Sequence, residues 1–277
     1  MDAHIKLGNE IADALKSLNG VKSIAFYGAV ASGFADKYSD IDLMCLCSKI
    51  PSINERVRVL AKFSKLKYKG NQDSREWKKG LDLFTYKAKN FGIEYKEIGD
   101  LVKKLELVEK RGFIAKDDEQ LIGSISNAKI VWDPRRVYAN LKEKLAKFET
   151  KPNWLVKLLW NQLIDFSEKD WPEGAGIGQA ILRKNYIWTG KLVQTYIDRF
   201  LLCLYAINNK FYTDMSQKWA YKEIKAFKYK PKECVARLEK IYLLGNKSRE
   251  LKTKIKLFSS LIKDTTPFIK RKYKLNF

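Results

Sequence analysis

The chain has 277 residues, of which 45% are hydrophobic and 13% aromatic; this excludes a disordered polypeptide and supplies enough apolar material for one large or two modest domains. With 54 basic against 32 acidic residues the formal charge is +22, which attracts polyanions such as nucleic acid or nucleotides, although lysine enrichment is not in itself a nucleic-acid signature. A single histidine, His4, and four cysteines at 45, 47, 203 and 234 without C-x-x-C spacing argue against zinc sites and histidine-based catalysis.

In chain order, Ile5, Ile11, Leu15 and Leu18 recur at near-helical spacing and predict a helix stopped at Gly20. "VKSIAFYG" (21–28) and "SDIDLMCLC" (39–47) predict two strands, with Cys45 and Cys47 on one face as small core residues. "NERVRVLAKFSKLKYK" (54–69) predicts a basic amphipathic helix, and "LDLFTYKA" (81–88) with "GIEYKEI" (92–98) a hairpin turning at "KNFG" (89–92). Helices over 100–110 and 117–125 and a short strand stopped by Asp133 and Pro134 complete this half.

Beyond residue 133 only helical periodicity is strong, over 135–149, 153–170, 177–208, 215–228, 231–244 and 247–274. The expected fold class is therefore α+β, a mixed-sheet N-terminal domain over 1–133 followed by an all-α helical bundle over 134–277. Residues 1–133 hold 23 basic and 19 acidic residues, against 31 and 13 in residues 134–277. The last segment, 246–277, has ten basic residues and two acids, which makes either a solvated face or a surface for a polyanion. The tryptophans at 154, 160, 171 and 188 are expected in the bundle core, and the glycine-containing stretch 172–180 reads as an interhelical loop. With no window of about 18 apolar residues and no apolar stretch near Met1, neither a membrane span nor a secretion signal is expected, and the cysteine pattern leads us to expect a reducing, cytoplasmic compartment.

The stretch "FYGAVASGFADKYSDIDL" (26–43) carries the chemistry. Asp40 and Asp42, one residue apart at a strand opening, point to the same face. Their charges repel, and a divalent cation relieves that repulsion while leaving coordination positions for water and phosphate oxygens. Gly28 and Gly33, just upstream, let backbone amides approach an anion.

This arrangement of strand, small-residue loop, Ser39-Asp40-Ile41-Asp42-Leu43 and strand resembles the nucleotidyltransferase signature of the DNA polymerase beta superfamily, which includes antibiotic and minimal nucleotidyltransferases. The match covers Gly28, Gly33, Ser39, Asp40, Asp42 and Leu43. It departs at Ala29, in the usual serine position, and at Val30 and Ser32, where arginines are common. The resemblance implies a nucleotidyltransferase core with nucleotide contacts at Gly28, Ala29, Ser32, Gly33 and Ser39. It also implies two Mg2+ ions, with Mn2+ as an alternative, held by the catalytic carboxylates Asp40 and Asp42 and by a third. Glu94 is the first choice for that third carboxylate, because "I-E-Y" followed by a polar turn and a helix resembles the family segment; Asp82 in "GLDLF" is the competitor.

In the second half, "YIDRFLLCLYAINNKFYTDMSQKWAYKEI" (196–224) is similar to the helical domain of aminoglycoside- and lincosamide-type nucleotidyltransferases at Asn208, Tyr212, Lys218 and Trp219. By that resemblance Lys218 faces the triphosphate; the other reading is a lysine lying along a packed tryptophan. Asp165, Glu168 and Asp198 are the bundle acids among which such enzymes would have a general base, and the sequence selects none. Together these likenesses imply transfer of a nucleotide, AMP from ATP first among the choices, onto a hydroxyl of a small molecule, a protein or an RNA, with no membrane partner. Ala29 and the missing arginines motivate the alternative, a non-catalytic protein of the same fold that binds nucleotide, RNA or a protein.

Overall fold

A computed structural model describes residues 2–63, 80–112, 114, 116–168, 183–212 and 214–274. Helix α1 (Asp2–Leu15) leads into strand β1 (Val21–Tyr27), the short helix α2 (Gly28–Ala31) and strand β2 (Ile41–Cys47). There follow α3 (Ile53–Leu60), β3 (Leu81–Tyr86), β4 (Lys89–Glu97), α4 (Ile98–Arg111), α5 (Lys116–Asn127), β5 (Lys129–Trp132) and α6 (Val137–Leu145).

The five strands form one mixed sheet in the order β3-β4-β2-β1-β5, in which only β2 and β4 run parallel. Alternation divides its faces. Ile41, Leu43, Cys45 and Cys47 of β2 point into a core shared with Ile24 and Phe26 of β1, Phe91, Ile93 and Tyr95 of β4, and Ile11, Ala12 and Leu15 of α1. All four cysteines of the chain are buried and unbridged. Asp42, Met44 and Leu46 point the other way, where α6 brings Tyr138, fully buried, to donate its hydroxyl to the Met44 sulfur at 3.3 Å.

The β3–β4 hairpin closes on Lys87 and Ala88 at φ +47° and +59°, with Tyr86 paired to Lys89. Two consecutive residues at positive φ match the right-handed twist of the flanking strands. The turn thus precedes the "KNFG" stretch, and Gly92, expected at the turn, lies inside β4. Helix α3 is capped by a reciprocal Ser52–Glu55 box and ends at Leu60; residues 64–69 of the expected longer helix fall outside the described residues.

The chain divides into two compact units, Met1–Phe148 and Glu149–Phe277. This moves the expected boundary from after Asp133 to after Phe148, and the reason is α6. Its Tyr138, Leu141 and Leu145 are buried, Asp133 accepts from the Ala139 amide, and Lys142 donates to the Ala128 carbonyl. Cutting at 133 would expose those side chains.

In the second unit the described elements are the helices α7 (Asn153–Glu168), α8 (Tyr186–Ile207), α9 (Asp214–Ala226), α10 (Cys234–Leu243) and α11 (Ser248–Tyr273). Trp160, Phe200 and Phe258 pack as successive ring contacts in its core, with centroids 6.2 and 5.7 Å apart. Of the tryptophans expected there, Trp160 is fully buried, Trp188 is half-buried and Trp154 is 60% exposed. Trp154 and Leu158, four residues apart, share the outward side of α7, opposite Val156, Trp160 and Leu163. Trp171 and the glycine stretch 172–180 lie outside the described residues. Asn208 brackets the end of α8: its amide donates to the carbonyls of Leu204 and Tyr229 and accepts from the Tyr229 amide. Among the described residues no helix is long and apolar enough to cross a membrane.

Candidate active site

Asp42 is flanked in the sheet by Tyr27 on β1 and Gly92 on β4. Its carboxylate is fitted between two glycine backbones. A Cβ built on Gly28 would come within 2.8 Å of one carboxylate oxygen, and a Cβ on Gly92 within 2.8 Å of the other. Gly28 also has φ +64°, which disfavours any residue with a Cβ. Asp40 stands exposed just before β2, on a loop with its own bracing. Asp36 accepts from the Tyr38 amide and the Ser39 hydroxyl, and the Ser39 hydroxyl accepts from the Asp36 amide. The loop is tied to α1 through His4, whose Nε2 lies 3.3 Å from the Ser39 carbonyl oxygen, and to β4 through Lys89, which donates to the Lys37 carbonyl. Burial and the Lys89 charge hold the His4 imidazole below its ordinary pKa.

Glu94 pairs across the sheet with Met44 and so lies on the Asp42 face, two residues further along the strand. Its carboxylate is 2.6 Å from the Lys96 ammonium, both side chains being 28% exposed. The electrostatics converge on Tyr27. Burial first, then the charges of Asp42, Glu94 and Asp40, push its hydroxyl well above the ordinary tyrosine pKa and keep it neutral. Asp42 and Glu94 thus share one face of the sheet, and Asp40 adds its charge from the exposed loop before β2.

Asp82 is a correction. It pairs with Ile93 on β4 and faces the opposite, core side, 1% exposed, with its carboxylate 3.2 Å from Arg56. The Arg56 guanidinium lies 4.9 Å from the Tyr95 ring centroid. Alternation along β3 turns Asp82 away from Asp40 and Asp42, and the buried ion pair occupies its charge.

The glycine loop also differs in detail from a free phosphate cradle. Its first four residues form α2, and Ala29 and Val30 are buried at 5% and 2% exposure. Ala29 therefore presents backbone only, and its carbonyl accepts from the amides of Phe34 and Ala35. Ser32 is exposed and donates its hydroxyl to the Gly28 carbonyl, and Gly33 is exposed at φ +74°. Both loop hydroxyls, Ser32 and Ser39, are thus turned onto the loop itself. Lys218 is exposed on α9 in the second unit.

Sequence reasoning missed Tyr27, Gly92 and Lys96. Lys96 was accessible, because two residues from Glu94 on a strand means the same face. Tyr27 and Gly92 needed the strand register.

Among the described residues no three or more His, Cys, Asp and Glu side chains are grouped to hold a metal ion. Asp40 and Asp42 nonetheless fit a Mg2+ ion, which binds through one or two carboxylates and completes its shell with water and substrate phosphates. The paired Glu94 fits less directly, because Lys96 already neutralises it.

Among curated proteins nothing matches the chain. Solved structures do: a nucleotidyltransferase-like protein from Exiguobacterium sibiricum 255-15 is 11% identical over 95% of this chain and 74% of that one, with a TM-score of 0.39. A toxin-antitoxin structure with AMP-PNP is 13% identical over 50% of this chain and 83% of the other, with a TM-score of 0.27. At these values neither likeness bears on function. The family evidence lies in the site region itself: residues 9–113, which hold Tyr27, Gly28, Asp40, Asp42 and Glu94, match the family described as nucleotidyltransferase domain.

Proposed function

We propose that the protein is a metal-dependent nucleotidyltransferase that moves a nucleoside monophosphate, AMP from ATP in the first instance, onto a hydroxyl of an acceptor. The observation that supports this most is that Asp42 lies between the Gly28 and Gly92 backbones at the opening of β2, two residues after Asp40 and on the same sheet face as Glu94, within the region of the family match. Asp40 and Asp42 hold Mg2+ or Mn2+, in one or two ions, and the ion supplies charge neutralisation to the triphosphate and the leaving pyrophosphate. The residues themselves do the positioning. Gly28 and Gly92 leave the space that Asp42 needs, and the Asp36–Ser39 bracing fixes the approach of Asp40. Tyr27 stays protonated and offers a neutral hydroxyl beside the carboxylates. The backbone of Gly28, Ala29 and Gly33 and the Ser32 and Ser39 hydroxyls are the proposed nucleotide contacts.

The test is titration of ATP in Mg2+ and in EDTA, with wild type, Asp40→Asn and Asp42→Asn, followed by transfer of label from α-labelled ATP to a panel of hydroxyl acceptors including tRNA. Mg2+-dependent binding that both variants lose, with label transfer by wild type, is expected. Equal Mg2+-dependent binding by all three proteins overturns the assignment of the aspartates.

A second reading, a non-catalytic nucleotide-binding protein, is favoured by the 2.6 Å Glu94–Lys96 pair and by the buried Ala29. Mg2+-dependent ATP binding without pyrophosphate release across the whole panel selects it. RNA as acceptor or partner rests on the basic second half; tRNA affinity that stays flat between low and moderate salt counts against it.

A further inference from the structure

Helices α8, α9 and α10 of the second unit line a half-open cavity of about 360 Å³ whose chemistry is opposite to that of the unit around it. Residues 149–277 hold 26 basic and 12 acidic residues. The described lining of the cavity nevertheless contains two carboxylates, Asp198 and Glu239, and neither lysine nor arginine. Three tyrosines, Tyr212, Tyr221 and Tyr242, share the wall, over a floor that includes Leu201 and Ile224.

The polar groups are arranged around Asp198. Its carboxylate accepts from the Gln194 amide at 2.9 Å and from the Tyr212 hydroxyl at 3.4 Å, and the same Gln194 amide lies 3.2 Å from the Tyr242 hydroxyl. These donors are neutral, so they orient the carboxylate without cancelling its charge. Glu239, exposed at the rim, adds a second negative charge. Lys222 and Lys225 approach the Tyr221 ring at 5.7 and 6.0 Å from its centroid; they do not line the cavity.

We propose that this cavity is a binding site for a small organic ammonium ion with an apolar or aromatic body. The volume lies in the range of small-molecule sites. Carboxylates and tyrosine faces both favour a cation, the former by charge and the latter through the ring quadrupole. An anion is disfavoured by the two acids. The site is built from the second unit alone and stands independently of nucleotide transfer.

Three ligands of similar size separate charge from greasiness: phenethylamine, 2-phenylethanol and 3-phenylpropionate, titrated against the full chain by ligand-observed NMR. Phenethylamine is expected to bind about tenfold more tightly than the alcohol, as for a hydrogen bond to a charged group, and the carboxylate to bind weakest. Asp198→Asn and Glu239→Gln each lower amine affinity severalfold and leave the alcohol unchanged, whereas Glu143→Gln, on α6 of the other unit, changes neither. Should Asp198→Asn fail to fold, Glu239→Gln at its exposed position carries the test. Equal affinity for amine and alcohol, preference for the carboxylate, no saturable binding of the amine, or amine affinity unaltered by the folded variants overturns the proposal.

Discussion

Replacing Gly92 by alanine adds one methyl group where only the Asp42 carboxylate can yield. The new Cβ would lie 2.8 Å from an Asp42 oxygen and 3.7 Å from the nearest Leu83 carbon, so Leu83 is in ordinary contact and Asp42 is not. To reach an ordinary separation the carboxylate retreats by about half an ångström. Gly92 has no positive φ, so the backbone accepts alanine without strain. The stability cost is therefore small, at or below about 1 kcal/mol, the low end for overpacking. The functional cost is larger. Displacing one charged contact of the bound ion costs about 1.5 kcal/mol, which predicts a loss of about tenfold in Mg2+–ATP affinity. The assay is Mg2+-dependent ATP affinity by calorimetry together with thermal unfolding, for Gly92→Ala, Asp42→Asn and the double variant. Because Gly92→Ala acts through Asp42, the double variant is expected to equal Asp42→Asn alone. Gly92→Ala with unchanged Mg2+–ATP affinity, or additive losses in the double variant, would refute the reasoning.

Asp82→Ala leaves Arg56 buried without its partner and lowers unfolding free energy by about 3 kcal/mol or more, read by denaturant titration; the protein that remains folded keeps Mg2+–ATP affinity, because Asp82 faces away from Asp42. For His4, burial and Lys89 disfavour the imidazolium only in the folded state, so the unfolded chain binds the extra proton. Its contribution is full above the ordinary pKa of 6.5 and is lost as pH falls through that value towards the folded one. Thermal unfolding should therefore show a gap between wild type and His4→Gln that changes from pH 7.5 to 5.5 to the disadvantage of wild type. Asn208→Ala removes two hydrogen bonds to the Tyr229 backbone and one to the Leu204 carbonyl and costs about 2 to 3 kcal/mol by the same denaturant titration.

Much of this protein is local and therefore legible along the chain. Period-two alternation in "IDLMCLC" places Asp42 opposite the cysteines, and the helical periodicity after residue 133 predicts the helices of the second unit, because side-chain direction follows directly from backbone geometry. The glycine at 28, at positive φ where β1 ends, belongs to the same class. The domain boundary does not: helical periodicity shows that 137–145 is a helix but not which core it joins, and the burial of Tyr138 beside Met44 assigns it to the sheet.

Register was likewise beyond the sequence. Gly92 reads as a turn residue when only its neighbours are seen, yet the hairpin turns at Lys87 and Ala88, neither of which carries a turn signature, and Gly92 ends up beneath the Asp42 carboxylate. Along the chain Glu94 is the first choice and Asp82 the competitor on local resemblance alone; hydrogen bonding of β3 and β4 sends one to each face of the sheet. The sequence by itself determined the two strands, the paired aspartates and the helical second half, since each depends on residues within a few positions of one another. Only the tertiary structure decided that Glu94 and not Asp82 shares the Asp42 face, that Lys96 pairs with it, and that an acidic, tyrosine-lined cavity forms within a basic set of helices, because these depend on which segments pack together.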